Sequence, residues 1–137
     1  MISLLIDTCT KNVCIALFKD KTLMDKVVYS NQIDLSSNFM VLINNIFSKN
    51  SVKIEDVDKF FVAVGPGSFT GIRIGVTCAK VMAWSLKKDV IPFSSLELLA
   101  TVDSNNDYIN ITFFKMQTIY VIPQYIKGQC NSNCTAL

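Results

Sequence analysis

Histidine is missing from all 137 residues. Its absence removes the Ser-His-Asp and Cys-His arrangements of nucleophilic hydrolases, and every metal site that relies on imidazole. Any acid–base chemistry would fall to carboxylates, Lys, Tyr or Cys, which weighs against a self-sufficient hydrolase. Excess charge is lacking too: 13 basic and 11 acidic residues leave a net charge of +2, too small to mark a nucleic-acid surface. No uninterrupted apolar run approaches the roughly 18 to 20 residues of a membrane span. The opening MISLLIDTCT has no basic n-region and its apolar run stops at Asp7. A signal peptide is therefore not expected, and the chain reads as cytoplasmic with no membrane partner.

The five cysteines (Cys9, Cys14, Cys78, Cys130, Cys134) are odd in number and follow no framework spacing. They read as small buried hydrophobes or incidental thiols. Cys130 and Cys134 have no imidazole to complete a zinc site, so no metal is expected. The final Cys134-Thr135-Ala136-Leu137 is a poor prenylation box, because Thr135 is not aliphatic and no polybasic stretch precedes it.

What is present is a core's worth of apolar residues, half the chain, at about the length of one domain. Residues 3–6, 13–18 and 23–29 form short β-type runs separated by polar turns, which predicts an antiparallel meander. The period then changes. Phe39, Leu42, Ile43, Ile46 and Phe47 fall on one stripe of an amphipathic helix over about 36–49, with Asp34 or Ser36 as its cap. Residues 60–64 are apolar throughout, as in a strand covered on both faces. A helix over 71–87, a strand over 90–93 and a short helix capped by Ser94 or Ser95 follow. This order is mixed α/β with a parallel portion. Beyond the polar linker 103–107, residues 108–114 and 118–122 read as a second hairpin. The boundaries are a lobe over 1–102 and a smaller unit over 103–137.

The stretch VAVGPGSFTGIRIG joins strand to helix. Gly65 and Gly67 give backbone freedom and Pro66 fixes one φ between them. No Lys-Ser or Lys-Thr follows at P-loop spacing, and the third glycine of a dinucleotide fingerprint is out of place. Gly65, Pro66, Gly67, Ser68, Phe69, Thr70 and Gly71 are thus a structural turn first and a weak anion-binding candidate second. In the helix, Ile72, Val76, Ala79, Ala83 and Leu86 make the face expected on the sheet. Ile74, Cys78, Val81 and Met82 make a second side, with Arg73, Thr77, Lys80 and Trp84 on the outer arc. A lone tryptophan there is either a partner anchor or packed under a loop or against Lys80.

MISLLIDTCT…VCIAL, VGPGSFTGIRIG, Ala79-Lys80 and IPFSSLELLA together resemble the TsaB family over residues 1–100, and Tyr125-Ile126-Lys127 is similar to its C-terminal Tyr-Leu-Arg. The resemblance implies an actin-like ATPase (ribonuclease H-like) lobe with a mixed five-stranded sheet and flanking helices. It further implies a non-catalytic subunit that pairs with TsaD, the enzyme that transfers threonylcarbamoyl to adenosine 37 of tRNA. The helices over 36–49 and 71–87 would form the heterodimer interface, through Met40, Arg73, Ile74, Thr77, Lys80, Val81 and Trp84. The same surfaces would form a homodimer when the chain is isolated. TsaE is a candidate third component, and tRNA would be met only through the complex. Leu35 and Val81 stand where the family has histidine and glycine. Asp7 and Thr8 belong to a degenerate phosphate turn, in which Cys9 replaces glycine. No cofactor is expected on this chain alone, with ATP and Mg only in the complex. The second lobe is expected to be strongly contracted. The HxxxH metal motif of TsaD is absent. The alternative is a nucleotide-dependent phosphotransferase or hydrolase using Asp7.

Overall fold

The computed structural model describes residues 1–30, 34–96 and 98, together with the backbone of four short strands between 111 and 130. Three antiparallel strands open the fold: β1 (Ile2–Asp7), β2 (Val13–Lys19) and β3 (Thr22–Tyr29). Helix α1 (Leu35–Lys49) leads through a 3-10 turn (Ile54–Asp56) to β4 (Lys59–Ala63). Helix α2 (Phe69–Leu86) then leads to β5 (Asp89–Phe93). The sheet order is β3-β2-β1-β4-β5. β4 lies parallel to β1, and β5 parallel to β4.

Strand register explains where the core sits. Leu4 is opposite Leu17 and Phe60, and Ile6 is opposite Ile15 and Val62. Because side chains alternate across a strand, these six residues share one sheet face. They join one buried cluster with Phe39, Ile43, Ile46 and Phe47 of α1 and Ala79, Met82 and Ala83 of α2. Helix α1 contacts β2 and β3, while α2 contacts β1, β4 and β5. Both helices therefore lie on the same face of the sheet. This is the mixed five-stranded sheet with flanking helices of an actin-like lobe.

The α1 stripe read from the sequence is buried or half-buried along its length. Its start differs from expectation. Asp34 takes the N-cap position with no side-chain cap hydrogen bond, and Ser36 lies inside the helix. The other end is tied down: Lys49 Nζ meets Asp25 Oδ2 at 2.8 Å, and Asn50 Nδ2 donates to the same oxygen at 3.1 Å. These two donors hold the Asp25 carboxyl below the usual carboxylate range. At the N-terminal ends of the parallel strands, Asp58 Oδ2 accepts from the Ile2 N–H at 2.8 Å. That bond, with Lys88 as a second partner, depresses the Asp58 pKa.

Past the lobe, β6 (Ile111–Phe113) pairs antiparallel with β7 (Ile119–Val121), within the segments expected to form a second hairpin. β8 (Tyr125–Ile126) pairs with β9 (Gln129–Cys130), a ladder the sequence reading did not anticipate. The linker 103–107 and the tail 131–137 lie outside the described residues.

Candidate functional site

Two features compete for function in this lobe: the Asp7-Thr8-Cys9 turn after β1, and the helix launched by the glycine stretch. The structure brings them into one contact. Asp7 Oδ1 accepts from the Cys9 N–H at 2.9 Å, so the carboxylate closes its own turn. The Cys9 carbonyl in turn accepts from the Ser68 N–H at 2.7 Å. Ser68 caps α2, its Oγ accepting from the Gly71 N–H at 3.3 Å.

The glycines explain how close this contact is. A β-carbon on Gly67 would run into the Cys9 carbonyl oxygen, and one on Gly71 into the Thr8 carbonyl oxygen. One on Gly75 would meet the Thr8 side chain and Ile6 Cγ2. Gly71 and Gly75, four apart, give α2 a bare seam on one helix face. Gly67 extends it into the turn before the helix, and β1 and its turn press against all three. Gly65 serves differently: it holds φ at +104° before a cis Gly65–Pro66 peptide. Left-handed backbone of this kind favours glycine.

This geometry corrects the sequence reading of α2. The face on the sheet was expected to centre on Ile72, Val76, Ala79, Ala83 and Leu86. The buried set is Gly71, Gly75, Ala79, Met82 and Ala83, and Ile72, Val76 and Leu86 are only half-buried. An apolarity pattern undercounts glycine, whose contribution is the lack of a side chain rather than its hydrophobicity. Met82, assigned to a second side, belongs to the core.

Beneath the turn lies a buried polar cluster. The Thr8 and Ser95 hydroxyls are both buried; Thr8 Oγ1 finds no hydrogen-bond partner among the described residues, while the Ser95 hydroxyl faces the Cys9 thiol. Cys9 is buried beside them, and burial pushes its thiol up to about 11. The Asp7 charge adds to that rise, and the Ser95 hydroxyl works against it. The Ser95 N–H donates to the Gly65 carbonyl at 3.0 Å, fastening the segment after β5 to the glycine turn. Among the described residues no group of three His, Cys, Asp or Glu could hold a metal ion.

The outer arc of α2 has the opposite character. Trp84 is 85% exposed, Phe69 73% and Val81 58%. Among the described residues, then, no loop covers Trp84 and it does not enter the core. Arg73, Thr77 and Lys80 are exposed along the same arc, whereas Ile74 is half-buried against the core. At about 100° per residue, Phe69, Arg73, Thr77, Lys80, Val81 and Trp84 fall within about 120° of arc. The Arg73 guanidinium carbon stands 5.3 Å from the centre of the Phe69 ring, a cation–π distance. Phe69 was read only as a turn residue; its i, i+4 relation to Arg73 is the signal that assigns it to the arc. On α1, Met40 and its neighbour Val41 are exposed at 44% and 52%. Beside Trp84 a shallow cavity of about 440 Å³ is lined by Ala83, Trp84, Ser85, Lys87 and Lys88. No helix among the described residues is long and apolar enough to cross a membrane.

Known proteins share this sequence and architecture. Residues 26–111 match the family model described as TsaD, tRNA N6-adenosine threonylcarbamoyltransferase. The Bacillus subtilis protein named tRNA threonylcarbamoyladenosine biosynthesis protein TsaB is 38% identical over 73% of this chain and 44% of its own length. Its namesake in Haemophilus influenzae is 29% identical over 71% of this chain and 41% of its own length. This chain thus spans less than half the length of those two relatives. The solved structure of YeaZ from Pseudomonas aeruginosa superposes with a TM-score of 0.80 at 21% identity, covering 95% of this chain and 63% of that one. At that identity the likeness speaks for the fold. With a family model matched across more than half of its residues and a TsaB relative sharing more than a third of the aligned positions, the chain belongs to the TsaB family, a homologue of TsaD.

Proposed function

We propose that this chain is a non-catalytic subunit that docks on TsaD and supports transfer of the threonylcarbamoyl group to adenosine 37 of tRNA. The observation that carries the reading is the exposure of Trp84 on a helix whose outer arc also holds Phe69 and Val81. Large apolar side chains exposed along one helix arc favour a protein contact, and tryptophan is enriched among interface anchors. Met40 and Val41 of α1, a helix on the same side of the sheet, are exposed as well. The heterodimer would be built from the outer faces of α1 and α2.

The chemistry of the chain supports a binding role. It has no histidine. Its one phosphate-turn candidate is engaged with its own helix, Asp7 capping the turn and the Cys9 carbonyl bound to Ser68. ATP and Mg would then enter only with the complex, tRNA would be met through TsaD, and TsaE would join as a third component. In isolation the same helices would pair two copies. The complex would work in the cytoplasm.

Mixing the purified chain with TsaD from the same source and following co-elution tests the reading. A complex at micromolar concentration is expected. Separate elution, with and without ATP, would overturn it.

A further inference from the structure

The charges on α2 are one-sided. From Phe69 to Leu86 the helix contains no acidic residue. Arg73, Lys80 and Lys87 follow one another at intervals of seven, the last at the C-cap. Two helical turns take about seven residues, so the three cations stand in one row, about 10 Å apart. All three are exposed. Among the described residues no ion pair reaches any of them, whereas Lys49 and Lys88 are held by Asp25 and Asp58. Thr77 and Trp84 lie between the cations, with Val81 at the edge and Phe69 beneath Arg73. By contrast α1 offers a neutral outer surface of Ser37, Met40, Val41, Asn44 and Asn45.

We infer that the surface seated on α2 is a helix of the partner protein, acidic along one row, with carboxylates at heptad spacing opposite Arg73, Lys80 and Lys87. The inference rests on the docking reading above and specifies the chemistry of its partner. A seven-residue repeat is the period at which two helices stay in register. Complementary charges along such a seam set register and partner choice. The cavity beside Trp84, walled by Lys87 and Lys88, receives one of these acidic side chains. Trp84 between the cations, Val81 at the edge and Phe69 beneath Arg73 need apolar cover beside the charges, which the side chains of a partner helix supply along with its carboxylates.

Lys87 also provides a clean test, because it sits in the left-handed region at φ 55°, where glycine is at ease. The variant Lys87→Gly deletes the cation and favours the backbone already present. The full chain is titrated with TsaD from the same source by calorimetry at 50 mM and 500 mM NaCl. The Kd is expected to rise about tenfold between the two salts, as screening shortens the reach of the charges. It is expected to rise about tenfold for Lys80→Glu and about threefold for Lys87→Gly, whose Tm stays level or climbs. A complex whose Kd moves less than twofold with salt and with both variants overturns the acidic row and leaves the docking reading standing. No complex at either salt removes the docking reading and this inference together. Binding of poly(U) by the chain alone, abolished by Lys80→Glu while TsaD binding is untouched, assigns the cations to RNA and overturns the inference.

Discussion

The carbonyl oxygen of Thr8 occupies the space that a β-carbon on Gly71 would need, and one turn further on the Thr8 side chain blocks the same atom on Gly75. The two obstacles differ in kind. Gly71 faces backbone, which cannot give, whereas Gly75 faces a side chain that can be cut away.

Gly71→Ala is therefore expected to cost about 3 kcal/mol, near the upper end of overpacking penalties, and Thr8→Ala should not rescue it. Gly75→Ala should also destabilise, yet Thr8→Ala removes both the Oγ1 and Cγ2 atoms in its way. Thr8→Ala alone should be mild, since it deletes a buried hydroxyl without a partner among the described residues. Chemical denaturation of both double-mutant cycles measures the coupling. Coupling near zero for the Gly75 pair, or large for the Gly71 pair, would contradict the seam.

Much of this lobe was legible in the sequence because its periods are clean. The α1 stripe from Phe39 to Phe47 and the apolar β4 run both correspond to observed elements. β4 ends at Ala63, however, Phe61 is only half-buried and Val64 is exposed, so the expected cover on both faces is not seen among the described residues. The exposed arc of Arg73, Thr77, Lys80 and Trp84 was equally legible, since polar residues at helical spacing need no long-range knowledge. The glycine seam was not. Its meaning depends on Thr8 and Cys9, some sixty residues earlier, and no local pattern reports what a missing side chain makes room for. The start of α1 was legible in position, since Asp34 is its N-cap, but not in detail, since the Asp34 side chain makes no cap hydrogen bond.

Asp7 offers a second test, because its carboxylate closes a turn. Asparagine keeps an oxygen at the same place, so Asp7→Asn should leave the Tm nearly unchanged. Asp7→Ala should cost about 1 kcal/mol through the lost hydrogen bond to Cys9. The Asp7 charge also helps raise both the Cys9 and the Cys14 thiols. Asp7→Asn should therefore lower both thiol pKa values, which pH-dependent thiol labelling followed by peptide mapping can detect. Equal stability losses for the two variants would mean that the turn depends on charge rather than on the hydrogen bond.

Cys9 predicts a loss of stability in alkali. Its folded-state pKa of about 11 lies above the roughly 8.5 of a free thiol. The unfolded chain thus releases this proton first. The associated stability is whole below about pH 8.5, shrinks as pH rises, and is gone past the folded pKa, a change on the order of 3 kcal/mol. Denaturant midpoints between pH 8 and 11 should fall less steeply for Cys9→Ala than for the unaltered chain, with Cys14 and Cys78, also raised by burial, accounting for part of the remaining slope. Parallel slopes would show that the thiol ionises as readily folded as unfolded.

Trp84 separates binding from folding. At 85% exposure its ring adds little to the lobe's own core, so Trp84→Ala should leave the Tm of the isolated chain within experimental error. An interface anchor behaves differently in the complex, where truncation typically costs at least about 1 to 2 kcal/mol of affinity. The expected result is a Kd for TsaD raised about tenfold with folding untouched. Val81→Ala, on the edge of the same arc, should cost less, because it removes two methyl carbons rather than an indole. A Tm drop of several degrees for Trp84→Ala would show that the ring is packed within its own chain in solution. An unchanged Kd would place the contact on another face and leave α2 as a scaffold for the glycine seam alone.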